Sequence, residues 1–157
     1  AVFNNFKVCE SHNMLSQEIT KTADLVYLDP PYYSAKSDND YVRRYHFVEG
    51  LAKNWQGLEI QEHTKTKKFK SYQSPFSKKE SAYRAFHNLL EKFQNSIIAI
   101  SYSSNSLPTK EELTAILKEY KTDVTVHEID HTYSFGNQKH KIGNKSNRVK
   151  EYLFIGK

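Results

Sequence analysis

Four consecutive residues, Asp29-Pro30-Pro31-Tyr32, end the apolar run Leu25-Val26-Tyr27-Leu28, and they combine the groups needed to handle an exocyclic amine. The N6 amine of adenine is a poor nucleophile because its lone pair is delocalised into the ring. Two acceptors aimed at its two N–H bonds draw electron density back toward nitrogen and pyramidalise it. Asp29 offers a carboxylate for one N–H. The carbonyl of Pro30 offers the second acceptor, held in a set direction because proline has a fixed φ and no N–H. Preorganised polar groups of this kind stabilise charge as it develops. Tyr32 supplies a ring that can stack on the base. A base inside a duplex is out of reach, so this chemistry requires the nucleotide to be flipped out. Asp29, Pro30, Pro31 and Tyr32 are therefore the candidate catalytic set. The bland alternative is a strand followed by a proline turn; Asp-Pro-Pro alone arises by chance in loops, whereas a full strand leading into Asp-Pro-Pro-Tyr is much rarer.

Such a set needs a strand behind it, because open α/β sheets bind ligands beyond the carboxyl ends of their strands. Five short apolar runs read as strands: Phe6 to Cys9, Asp24 to Leu28, Ser96 to Tyr102, Val124 to Ile129 and Glu151 to Ile155. The second and third are nearly continuous in apolar residues, the pattern of strands covered on both faces. Four helices are expected between them. Ser11 to Thr20 turns Met14, Leu15 and Ile19 inward. Tyr41 to Trp55 does so with Val42, Tyr45, Val48, Leu51, Ala52 and Trp55. Lys78 to Gln94 buries Ala82, Ala85, Phe86, Leu89, Leu90 and Phe93, and Lys110 to Tyr120 buries Leu113, Ile116 and Leu117. Ser77 with Glu80, and Thr109 with Glu112, read as capping boxes at the last two starts. Alternation of strands and helices predicts an α/β fold with a mostly parallel sheet. The polar connection from His131 to Arg148 has no helical pattern, so the last two strands are expected to form an antiparallel hairpin.

The 157 residues fit one domain, 1–157, and 38% hydrophobic content is enough for a single core. A net charge of +5 suits a polyanionic partner, since each neutralised phosphate releases counterions. Lysines concentrate in a basic insert loop, 57–79, and again over 139–150. One cysteine, Cys9, excludes a disulfide framework and points to a reducing interior such as the prokaryotic cytoplasm. No apolar run approaches a membrane span. The chain begins with Ala1 rather than Met, which suggests an upstream segment. Cys9 reads as a small buried hydrophobe, and Ser101, Ser103 and Ser104 have no apparent base partner. His127 and His131 share one sheet face without further ligands, so no metal site is expected.

The Asp-Pro-Pro-Tyr segment resembles the catalytic motif of the Dam-like N6-adenine-specific DNA methyltransferases. Tyr41 to Trp55, with Arg43-Arg44-Tyr45-His46 leading a helix, resembles the segment that follows this motif in modification methylases. Ser101-Tyr102-Ser103-Ser104-Asn105 resembles the end of the following strand, and Glu151-Tyr152-Leu153-Phe154-Ile155 resembles the terminal strand. The resemblance implies a class I, Rossmann-like methyltransferase sheet, S-adenosylmethionine as donor, and methyl transfer to adenine in a defined sequence of double-stranded DNA, with a cognate restriction endonuclease as a companion. Asp29, Pro30 and Tyr32 carry over directly. Glu10 and Ser11 fall where the family has a cofactor-contacting acid, so both, with Asp29, are cofactor candidates. Candidate DNA contacts are Tyr33, Arg43, Arg44, Lys67, Lys68, Lys139, Lys141 and Lys145. The family's upstream Phe-x-Gly-x-Gly loop has no counterpart here. This absence predicts a sheet incomplete at its amino-terminal strands and a complementary chain or upstream segment that completes it. Two other readings stand beside this one: a non-catalytic DNA-binding fragment of a split enzyme, and an RNA adenine methyltransferase.

Overall fold

A computed structural model of the chain describes residues 6–33, 41–70, 74–132 and 148–157, with the backbone alone for 41–44. Its strands are β1 (Leu25–Leu28), β2 (Ile97–Ser103), β3 (Val124–Thr132) and β4 (Arg148–Gly156). Its helices are α1 (Tyr41–Ala52), α2 (Lys79–Lys92) and α3 (Lys110–Tyr120). The sheet order is β1-β2-β4-β3. β1 pairs with β2 in parallel, and Leu28 lies opposite Ile100. β4 runs antiparallel to both β2 and β3, so β1, β2 and β3 share one direction and the expected terminal hairpin is present. The architecture is α/β.

One sheet face is covered. Val26 and Leu28 of β1 pack with Ile98, Ile100 and Tyr102 of β2 and Phe154 of β4. Against them lie Ala82, Ala85, Phe86, Leu89 and Leu90 of α2, with Leu113, Ile116 and Leu117 of α3. Both helices keep their apolar residues at helical spacing and bury that stripe. The start of α3 is a full capping box: Thr109 Oγ1 accepts from Glu112 N at 3.2 Å and a Glu112 carboxylate oxygen accepts from Thr109 N at 2.7 Å. Glu112 also accepts from the Tyr83 hydroxyl, which ties α3 to α2. Lys121, just past α3, is buried. Its ammonium donates to the Gln94 carbonyl at 2.6 Å and to the Ser96 carbonyl, and burial pushes its pKa below the ordinary lysine value. Its shaft crosses Gly156, where a Cβ would come within 2.7 Å of Lys121 Cγ.

Several expectations are corrected. Phe6 to Cys9 forms no strand and is exposed, Cys9 included. Ser11 to Thr20 holds a single 3-10 turn, Ser16–Glu18, rather than an α-helix. The turn lies beside α2, where Lys92 Nζ donates to the Gln17 carbonyl at 2.6 Å, but Met14 and Leu15 stay exposed, and short helices that bury few apolar side chains are marginal. Ser77 does not cap α2. Lys78 is the cap residue, and the Ser77 hydroxyl instead accepts from Ser74 N at 2.8 Å. The opposite sheet face is largely open: Leu25 and Tyr27 are each 58% exposed, and Ile97 and Ile129 are exposed with them, while Ser103 at the end of β2 is buried. The inward stripe expected of α1 is also open, with Tyr45 58% and Leu51 66% exposed and Val48 and Ala52 exposed beside them. Tyr45 is therefore not a core residue. The helix packs instead on a small local cluster. His46 and Trp55 meet the buried Phe69 edge-on at 6.1 and 5.7 Å, and Phe69 bridges to Ile60. The 57–79 segment is thus not a plain loop. Gln61 N donates to the Lys68 carbonyl and Lys70 N to the Glu59 carbonyl, each at 2.9 Å. No helix among the described residues is long and apolar enough to cross a membrane.

Candidate active site

The carboxyl end of β1 delivers Asp29. Ile97 N donates to the Asp24 carbonyl at 2.8 Å and Ser96 Oγ to the Ala23 carbonyl at 2.6 Å, so the strand's entry is pinned to β2. Alternation then places Leu25 and Tyr27 on the open face and Val26 and Leu28 on the core face. Asp29 continues the first series and is exposed; Pro30 continues the second and is buried. The Asp29 side chain is therefore open to solvent, while Pro30 is buried. Pro31 is half-buried.

Tyr32 and Tyr33 are tied down. The Tyr32 ring, half-buried, meets the buried Tyr102 ring edge-on at 5.2 Å. The Tyr102 hydroxyl donates to the Leu107 carbonyl at 2.5 Å, and Leu107 N donates to the Tyr33 carbonyl at 2.8 Å. Tyr33 and Leu107 form a one-residue antiparallel bridge. The turn after β1 and the turn after β2 are thus clamped together through Tyr102. Sequence reasoning missed this role of Tyr102. Its signal was a tyrosine on the core-facing series of Ile98 and Ile100: a buried phenol needs a partner for its hydroxyl.

Among the described residues, no hydrogen bond or ion pair joins Glu10, Ser11, Lys67 or Lys68 to this end. Glu10 is exposed, and its carboxylate is engaged by Lys21 and by His12 Nε2 at 3.1 Å. The hydrogen bond and charge of Lys21, ahead of those of His12, hold its pKa below the usual carboxylate value. Ser11 is exposed in a segment without regular structure. Lys67 pairs with Glu62 at 2.8 Å, and Lys68 is half-buried beside the Phe69 cluster. Arg43 and Arg44 lie in the first turn of α1, with side chains outside the described residues. Lys139, Lys141 and Lys145 also lie outside them. Among the described residues no group of His, Cys, Asp and Glu could hold a metal ion.

The chain is 33% identical to the Type II methyltransferase M2.HphI of Haemophilus parahaemolyticus over 99% of its own length and 41% of that protein. It is 31% identical to the modification methylase StsI of Streptococcus sanguinis over 78% of the chain and 18% of that protein. It is 30% identical to the Type II methyltransferase M.FokI of Planomicrobium okeanokoites over 92% of the chain and 21% of that protein. The chain therefore spans well under half the length of these relatives. No protein-family model and no solved structure matches it.

Proposed function

With the chain related to the Type II modification methylases over most of its length, we propose that it carries the base-handling half of a DNA adenine methyltransferase active in restriction–modification. The observation that carries this reading is the exposed Asp29 at the end of β1, directly followed by the buried Pro30. The target adenine, flipped from duplex DNA, places its amine between them. Asp29 accepts one N–H and the Pro30 carbonyl the other. Both hydrogen bonds strengthen as positive charge grows on the nitrogen and its N–H groups become better donors, so the gain falls in the transition state. Tyr32, braced by Tyr102, offers the ring against which the base rests. S-adenosylmethionine supplies the methyl group.

The sequence has no Phe-x-Gly-x-Gly loop to cradle the donor, and Glu10 is engaged by Lys21 and His12. The donor is held, on this reading, by a complementary segment bearing the glycine-rich loop, which also covers the open sheet face and the outer edge of β1. Uncovered edges and apolar faces of this kind are otherwise liabilities in water. The enzyme works in the cytoplasm beside its cognate endonuclease. Tyr33, Arg43, Arg44, Lys67, Lys68, Lys139, Lys141 and Lys145 are the candidate contacts to DNA. The same lack of a glycine-rich loop favours a second reading, in which the chain is a non-catalytic DNA-binding piece of a split enzyme.

Transfer of tritium from labelled cofactor to adenine-containing duplex separates the two, measured with the chain alone and after mixing with the upstream methylase segment. We expect transfer on mixing, and its loss in Asp29→Ala with DNA affinity nearly intact. Undiminished transfer by Asp29→Ala would remove the carboxylate from the mechanism.

A further inference from the structure

Among the described residues one buried side-chain oxygen or nitrogen has no hydrogen-bond partner, the Oγ of Ser103. Ser103 is 1% exposed. Nearly all buried polar groups are paired, so an orphan demands a cause. Its surroundings are otherwise satisfied: the Ser103 carbonyl accepts from Ser106 N at 3.2 Å, and the neighbouring Ser104 hydroxyl accepts from Lys150 N at 2.9 Å.

Position supplies the cause. Ser103 is the last residue of β2, and β2 runs parallel to β1, so it lies at the sheet end that carries Asp29. Strand alternation puts it with Ile97, Ala99 and Ser101, on the face where Leu25 and Tyr27 stand and where Asp29 follows. Resting on the reading of Asp29 above, we propose that the Ser103 hydroxyl binds the substrate, donating a hydrogen bond to a ring nitrogen that flanks the amine of the flipped adenine. That amine has a ring nitrogen with a free lone pair on either side, N1 and N7. Flipping strips N1 of its base-pairing donor, and a hydroxyl is a donor that can rotate to meet either atom. Because Oγ has no competing partner, the entering base takes the whole of its hydrogen bond.

The test uses the active methyltransferase that contains this chain, with duplexes carrying adenine, 1-deazaadenine or 7-deazaadenine at the target. Ser103→Ala should lower kcat/KM on adenine by about 3- to 10-fold, the worth of one hydrogen bond. Its Tm should be equal or higher, because a buried unpaired hydroxyl has been removed. Ser103→Cys, similar in shape with a weaker donor, should fall between. On the analogue lacking the contacted nitrogen, wild type should slow by the same factor and Ser103→Ala should add nothing; 1-deazaadenine identifies N1 and 7-deazaadenine N7. Equal rates for Ser103→Ala and wild type on adenine, an identical loss on all three bases, or a lowered Tm would overturn the assignment. No transfer by wild type, or full transfer by Asp29→Ala, would overturn the reading beneath it instead.

Discussion

Deleting a single oxygen atom tests whether the two strand ends are held as one unit. Tyr102→Phe keeps the ring that meets Tyr32 at 5.2 Å and Phe86 at 5.5 Å, and removes the hydroxyl that donates to the Leu107 carbonyl. An intramolecular hydrogen bond contributes about 0.5–1.5 kcal/mol net, and a buried acceptor left unpaired costs about 1–3 kcal/mol. Leu107 is half-buried, so water can reach part of the carbonyl's role, and we take ~1 kcal/mol. In a chain of this length that lowers Tm by roughly 2–4 °C. The functional effect should be larger than the thermal one suggests. Leu107 also holds the Tyr33 carbonyl at 2.8 Å, so loosening it frees the far end of the Asp29–Tyr33 turn, and small misplacements of reacting groups are costly. We expect slower methyl transfer at nearly unchanged duplex affinity, read by tritium incorporation beside a thermal melt. A Tm within about 1 °C of wild type, or a lowered Tm with transfer at the wild-type rate, would show that the clamp does not position the turn.

Thr109→Ala should lower stability by about 1 kcal/mol by removing the acceptor for Glu112 N at the start of α3, with Thr109→Asp restoring most of the loss in denaturant melts. Gly156→Ala should cost about 1–3 kcal/mol, because the new Cβ would lie 2.7 Å from Lys121 Cγ and 3.2 Å from Leu117 Cδ1; the loss should shrink in a Lys121→Ala background, and a purely additive double mutant would contradict the clash. Glu128 accepts from Lys110 at 2.6 Å and Lys150 at 2.8 Å, which hold its pKa at about 2 against an ordinary 4.5. A lowered carboxylate pKa stabilises the fold above the unfolded value and loses that contribution as pH falls, so the pairing should weaken between pH 4.5 and about 2. Amide exchange along β3 and β4 over that range should show it, Glu128→Gln should flatten it, and salt should reduce it.

The elements with strong periodicity were legible in the chain. β2, α2, α3 and the closing hairpin fall within a few residues of their expected bounds, because each carries enough apolar side chains at the right spacing to bury itself against the others. The Thr109–Glu112 box was legible for the same local reason. Ser77 with Glu80 looked alike but is not used, since Ser77 is drawn into the turn at Ser74. The apolar residues of α1 and of Leu25 and Tyr27 were legible as a pattern but not as burial: the pattern shows what a segment needs to cover, and these side chains are exposed. At the site, the place of Asp29 at a strand's end followed from the run before it. The Tyr102–Leu107–Tyr33 clamp did not, because it joins residues about 70 positions apart through two main-chain carbonyls, and backbone acceptors leave no mark on a sequence.

Among the described residues β1 is the outermost strand of the sheet, four residues long and laddered on one side only, yet it delivers the proposed catalytic acid. Strands at such margins open locally at a fraction of the global unfolding free energy. The scatter in the position of the Asp29 carboxyl group is therefore set by a few hydrogen bonds to β2. Whatever adds a second ladder along the free margin of β1 would narrow that scatter and raise turnover without touching a substrate atom, so that assembly and rate become the same variable.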